Sequence, residues 1–274
     1  MSKTARLSTN RRTALRAMIG GTLSLSASAL IPAAADAASA KRTFVLVHGA
    51  WRGAWCYQRV AERLAAAGHK VYAPTLTGLA DRSHLMSPAI TLQTHVDDVV
   101  NLMKWEDLDD IVLCGHSYGG AVISGVAEAM LPKIGSIVFL DAFMPETGER
   151  IIDLSSANRD KVLALQARGT VSIPPPPAQV SVVNEKDRAM VDAKSTPQPI
   201  RTFTETLTIT GARERVKTKV YVRAEKFARD AFDASYEKAK NDPGWKAYKL
   251  ACGHDVMLDM PDRIAQILLE AAAG

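Results

Sequence analysis

Ser117 stands between two glycines in the run Gly115-His116-Ser117-Tyr118-Gly119. A serine hydroxyl is almost never ionised near neutral pH, so it attacks a carbonyl only when a base takes its proton. His254 in Cys252-Gly253-His254-Asp255 is the one histidine that follows Ser117 in the chain, and it is the candidate base. A third group must orient that base. Two carboxylates compete for this task. Asp141 follows the apolar run Ile137-Val138-Phe139-Leu140, and Glu225 follows Tyr221-Val222-Arg223. A carboxylate at the mouth of so apolar a run needs a partner, which favours Asp141 over Glu225.

Acyl transfer also needs two donors aimed at the oxyanion. The backbone amide of Tyr118 is one candidate, and the amide of Ala50 in His48-Gly49-Ala50-Trp51 is the other. Gly49 would let that backbone approach a substrate closely. Trp51 adds apolar surface for one, so Gly49 and Trp51 are the expected substrate-binding residues. No Cys-x-x-Cys or histidine cluster suggests a metal, and no cofactor is implied. Cys56, Cys114 and Cys252 form an odd set without a pairing pattern.

These residues need elements to hold them. Asp110 to Cys114 reads as a short buried strand, and Gly120 onward reads as a helix. A Ser-centred glycine motif placed between the two is a nucleophile elbow. Thr43 to Val47, Lys70 to Pro74, Ile134 to Leu140, Lys219 to Arg223 and Ala247 to Ala251 read as further strands. Val60 to Ala67, Thr94 to Lys104 and Pro261 to Ala272 carry helical spacing. Strands alternating with helices imply an α/β fold, with a mostly parallel central sheet and helices on both faces. Residues 142–217 break the rhythm, with Pro174-Pro175-Pro176-Pro177 inside them. Leu163, Leu165, Val180, Met190 and Phe203 make this stretch apolar enough to pack as a small cap over the carboxyl edge of the sheet.

The first forty residues read differently from the rest. A basic start, Lys3 to Arg16 with Arg11-Arg12 inside it, precedes a weakly apolar run from Ala17 to Ala33, and Ala35-Asp36-Ala37 and Ala38-Ser39-Ala40 each fit the small-x-small pattern of a cleavage site. The expectation is a twin-arginine-like export signal that is removed, which places the mature protein in the periplasm or outside the cell. The leader holds five basic side chains and one acid, so the chain's net +5 falls to about +1 without it. That balance gives no case for nucleic acid, and the apolar run is too short for stable membrane insertion. Residues 41–274 suit a single domain, acting as a monomer or a homodimer.

Phe44 to Trp51, Pro74-Thr75-Leu76-Thr77-Gly78, the elbow and Leu140 to Pro145 together resemble the α/β-hydrolase superfamily. The resemblance is to the group holding plant methylesterases, hydroxynitrile lyases and similar bacterial carboxylesterases, and it covers most of residues 43–272. It implies Ser117 as nucleophile, His254 as base, and Ala50 and Tyr118 as oxyanion donors. The lyases carry a threonine where this chain has Gly49 and a lysine where it has Asp255. The resemblance therefore implies a cofactor-free serine esterase acting on an ester of a small to medium, hydrophobic or aromatic compound, with a xenobiotic among the candidates. A lyase, a C–C bond hydrolase and a slow-turnover binding protein are the alternatives. Plant members take their acid from the loop after the strand corresponding to 219–223, where this chain has only Glu225, so the choice between Asp141 and Glu225 stays open.

Overall fold

The computed structural model describes residues 41–154 and 159–274. The expected export signal lies outside these residues. The described chain alternates strands and helices: β1 (Thr43–Val47), α1 (Gln58–Ala66), β2 (Lys70–Tyr72), α2 (Leu92–Trp105), β3 (Ile111–His116), α3 (Gly119–Met130) and β4 (Ile134–Leu140). After an insertion come β7 (Thr218–Ala224), α7 (Asp230–Asn241), β8 (Trp245–Leu250), α8 (Val256–Asp259) and α9 (Pro261–Ala273). The insertion holds α4 (Arg159–Ala167), β5 (Ser172–Ile173), α5 (Glu185–Lys194), β6 (Gln198–Pro199) and α6 (Arg201–Thr204).

Six strands form one sheet in the order β2-β1-β3-β4-β7-β8, and every pair in it is parallel. Central strands of such a sheet are covered on both faces, so they read as unbroken apolar runs. Every residue of β3 is buried, and so is Phe44 to Val47 of β1. The edges differ: β2 is half-exposed, and β8 alternates buried Trp245 and Leu250 with exposed Lys246 and Lys249. Lysines on an edge discourage pairing with another chain. β2 ends at Tyr72, two residues short of Pro74, where the sequence predicts its end.

One core layer packs α2, α3 and α7 on one face through Val96, Val99, Val122 and Phe232. The other packs α1 and α9 on the opposite face through Val60, Leu64, Ile264 and Leu268. Each such side chain contributes roughly 1.5–3 kcal/mol by leaving water. Thr91 starts α2 with a capping box, its hydroxyl accepting from the Thr94 amide while Thr94 Oγ1 accepts from the Thr91 amide.

The strand order reverses between β1 and β3, and the chain crosses from one half of the sheet to the other there. In an open parallel sheet the crevice at the carboxyl ends of two such strands is where ligands bind. The insertion between β4 and β7 folds over this edge. Its β5 and β6 pair antiparallel, and its Val182, Val191 and Phe203 are buried in the two core layers. Arg59 of α1 fastens α5 through Asp187, at 2.6 Å.

Candidate active site

The turn after β3 fixes Ser117 with φ at +52°, in the left-handed region. Such a conformation strains any residue with a Cβ and persists only where its surroundings impose it. Here the Ser117 amide donates to the Leu140 carbonyl at 3.1 Å, and its own carbonyl accepts from the Phe143 amide at 3.1 Å. Gly115 is required by the same turn, because a Cβ there would stand 2.5 Å from the Gly119 carbonyl oxygen. β3 thus ends with the hydroxyl lifted above the sheet.

His254 sits in the loop after β8. Its Nε2 lies 2.8 Å from Ser117 Oγ, and its Nδ1 lies 2.6 Å from Asp141 Oδ2. A carboxylate only accepts, so Nδ1 carries the proton and Nε2 is left to accept from the serine. Asp141 follows β4 with φ at +44°, a sharp turn that swings its carboxylate toward β8. Its other oxygen accepts from Arg223 Nη1 at 2.7 Å and from the Ala224 amide at 3.0 Å. The Phe227 ring stacks on the imidazole at 4.3 Å, and Phe232 lies parallel to it at 5.4 Å. The histidine therefore has one ring orientation.

Glu225 is outside this chain of hydrogen bonds. Its amide is held by the Leu250 carbonyl, which leaves the half-exposed carboxylate 3.9 Å from Lys249 Nζ. Of the two acids read from the sequence, the structure brings Asp141 to His254 and places Glu225 on the surface.

Ala50 and Tyr118 both border a cavity of about 580 Å³ that also contains Ser117 and His254. Among the described residues neither backbone amide donates to a protein acceptor. Gly49, expected to face a substrate, does not border the cavity. A Cβ on it would stand 2.7 Å from His116 Nδ1 and 3.0 Å from Ser117 Cβ. Its glycine serves the packing of this loop against the elbow, which corrects the sequence expectation. Trp51 does border the cavity, with φ at +63°. Its amide donates to Gln198 Oε1 at 2.9 Å and its Nε1 to the Ile173 carbonyl at 3.0 Å, so the cap holds it at both ends.

The rest of the wall is aromatic and aliphatic. Phe143, Phe203, Phe227 and Phe232 line the cavity together with Ile151, Val162, Leu165 and the consecutive Pro174, Pro175 and Pro176. Arg229 and Lys161 add two cationic groups to this lining. Among the described residues no group of three or more His, Cys, Asp or Glu could hold a metal ion. Sequence reasoning missed Phe227, Phe232, Gln198 and the Arg52–Asp255 ion pair. Phe227, Phe232 and Gln198 lie away from the motifs, and Arg52 and Asp255, each beside one, are 203 residues apart.

The "Alpha/beta hydrolase family" model matches residues 44–267. The chain belongs to this family. This hydrolase is 40% identical over 241 residues to the carbendazim hydrolyzing esterase of Nocardioides sp. (strain SG-4G), a match covering 84% of this chain and 99% of that protein. It is 36% identical over 108 residues to methylesterase 8 of Arabidopsis thaliana, which covers 39% of this chain and 40% of the plant protein. Among solved structures it resembles an extracellular alpha/beta-hydrolase from a Paenibacillus species, with a TM-score of 0.73 and 24% identity over 84% of this chain and 98% of that one. Tomato methylketone synthase I superposes with a TM-score of 0.70 at 22% identity, over 85% of this chain and 98% of that one. These two likenesses speak to the fold.

Three more histidines of the hydrolase are buried around the site and held neutral. Burial lowers His48 and His95 to about 4, and His116 to about 3. His48 Nδ1 donates to the Gly49 carbonyl and its Nε2 accepts from the Leu76 amide. His95 Nε2 donates to the Thr77 carbonyl and its Nδ1 accepts from the Tyr118 hydroxyl. A second proton on His48 would turn its Nε2 into a donor facing the Leu76 amide, itself a donor. In the unfolded chain these groups titrate near 6.5. Between the two values the unfolded state binds more protons, so stability rises with pH, is complete above about 6.5 and is lost as pH falls toward 4. Each histidine removes roughly 2–3 kcal/mol at about pH 4.5, which together approaches the total stability of a typical domain. Circular dichroism should show the melting temperature falling below about pH 6 and cooperative unfolding between about pH 4 and 5. A melting temperature flat down to about pH 4 would show that these histidines already carry protons in the folded state.

Proposed function

We propose that the protein is a serine esterase that hydrolyses a carboxylic ester of a small to medium, hydrophobic or aromatic compound through an acyl-enzyme. The hydrogen-bonded chain from Asp141 through His254 to Ser117 carries this reading. Ser117 Oγ attacks the ester carbonyl as His254 Nε2 takes its proton. The Ala50 and Tyr118 amides receive the oxyanion, and each such donor is worth about 2.7–4 kcal/mol in the transition state. His254 returns the proton to the departing alcohol. Water then enters, gives its proton to His254 and attacks the acyl carbon, which releases the acid and restores Ser117.

The cavity supports an apolar substrate, since aromatic, aliphatic and proline side chains form most of its wall. The position after His254 supports hydrolysis over a lyase, because Asp255 stands there with its charge matched by Arg52. Similarity over nearly the whole length of a carbendazim hydrolyzing esterase supports a xenobiotic substrate and puts carbendazim among the first compounds to try. The basic and apolar pattern of residues 1–40 supports export to the periplasm, which N-terminal sequencing of the protein from a periplasmic fraction would test.

The test of the chemistry is a panel of p-nitrophenyl esters of increasing acyl length, with carbendazim beside it. Multiple turnover with an initial burst is expected, together with covalent capture of Ser117 by a fluorophosphonate. No capture and no turnover across the panel would sink the esterase reading.

A further inference from the structure

Three segments meet beside His254, and one buried ion pair joins them. Arg52 is two residues beyond Ala50, and Asp255 directly follows His254. Their side chains are 4% and 1% exposed. Arg52 Nη2 donates to Asp255 Oδ2 at 2.8 Å, and Nε reaches Oδ1 at 3.4 Å. The third segment is the cap. Ser181 Oγ accepts from Arg52 Nη2 at 2.9 Å and donates to Asp255 Oδ2 at 2.8 Å. Arg52 Nη1 donates to Ser195 Oγ at 2.8 Å.

The backbone repeats the connection on both sides of the histidine. The Asp255 amide donates to the Ser181 carbonyl at 3.1 Å. Asp259 accepts from the Gly253 amide at 2.8 Å with the same oxygen that takes the Val183 amide at 3.2 Å, and its other oxygen takes the Asn184 amide at 3.0 Å. From below, His116 Nε2 donates to the His254 carbonyl at 2.8 Å.

Stability alone does not explain such a pair. Taking two charges out of water is costly, and well-packed apolar groups of similar volume often serve a fold as well or better. A guanidinium, however, presents several donors in one rigid plane, so it can fix the relative positions of several segments at once. We infer that Arg52 and Asp255 are positioning residues that lock the Ala50 loop, the His254 loop and the cap around Ser181 into one register. This inference rests on the esterase reading of the site. It makes the distance between Ser117 Oγ and His254 Nε2, and the aim of the Ala50 amide, depend on the seating of the cap. Misplacement by about 1 Å at such a site costs about 100-fold in rate.

The experiment uses the full chain with Ser181→Ala and the double variant Arg52→Met/Asp255→Leu. The double variant is expected to melt within about 5 °C of the parent, as an apolar replacement of a buried pair allows. Its kcat for p-nitrophenyl acetate should fall about 10- to 100-fold with KM changed less than about threefold. Ser181→Ala removes one hydroxyl and no charge, and should lower kcat by about 3- to 10-fold. Variants that melt like the parent and keep kcat within about twofold would make the pair merely structural and overturn the inference. If the double variant does not fold, Ser181→Ala decides by the same criterion. A parent that is neither labelled by a fluorophosphonate nor active would overturn the esterase reading instead. Hydrogen exchange then still decides the inference: faster exchange across residues 252–256 in Ser181→Ala supports it, and unchanged exchange refutes it.

Discussion

Ser117→Ala should give a folded protein whose turnover of p-nitrophenyl acetate is at least about 10⁴-fold lower. The hydroxyl is the one group within 2.8 Å of His254 Nε2, and no other described side chain offers that nitrogen a nucleophile. The substitution adds little structural damage. Ser117 borders the cavity, so losing one oxygen leaves no sealed void in the core. The turn at +52° strains alanine as it strains serine. The melting temperature should therefore stay within about 3 °C of the parent. Residual rate would come from the oxyanion donors proposed at the Ala50 and Tyr118 amides. Stopped-flow absorbance should show no burst, and fluorophosphonate labelling should vanish. Retention of more than about 1% of the parent rate would remove Ser117 from the role given to it here.

The second large effect separates two carboxylates. Asp141→Asn should lower kcat by about 10⁴-fold, whereas Glu225→Gln should leave it within about twofold. In Asp141 one oxygen is taken by Arg223 Nη1 and the Ala224 amide, both donors. An asparagine in its place must keep its carbonyl oxygen there, which turns its NH₂ toward His254 Nδ1. That nitrogen must then accept, so the ring proton moves to Nε2, and His254 can no longer take a proton from Ser117. Arg223 keeps Asp233 at 2.9 Å and the Phe227 carbonyl at 2.7 Å, so the fold survives with a lower melting temperature. Glu225 loses only a long contact to Lys249. Steady-state kinetics of the two variants side by side give the answer. Equal losses in both, or a larger loss in Glu225→Gln, would return the role of acid to Glu225.

The parts of this site that the sequence reveals are those defined within a few residues. A serine between glycines, after an apolar run and before a helix, is a local statement, and so is a histidine just past the last strand. The fold follows from the same kind of signal, since strands covered on both faces must be continuously apolar. The acid was ambiguous for a physical reason. Asp141 and Glu225 both follow strands, and only the left-handed turn at Asp141, with Arg223 behind it, aims one carboxylate at the imidazole. Gly49 misled because a glycine looks the same whether it makes room for a ligand or for a neighbouring ring. Gln198 and Arg52 were invisible because their partners stand 147 and 203 residues away. Nothing in the sequence near either residue marks it as buried.

The wall formed by Pro174, Pro175 and Pro176 has a consequence for what the enzyme can learn to accept. A proline has no backbone N–H, so this side of the cavity offers a bound compound bulk and little to bond with. A surface of that kind cannot reject a molecule for lacking the right polar group, which is where discrimination of 10⁴-fold or more ordinarily arises. It judges mainly by shape, at roughly 1–3 kcal/mol for each methylene that fits or clashes. Compounds with unfamiliar ring chemistry but tolerable outlines therefore meet no built-in veto on this side. New substrates could be admitted by trimming one side chain, with the machinery at Ser117 left untouched.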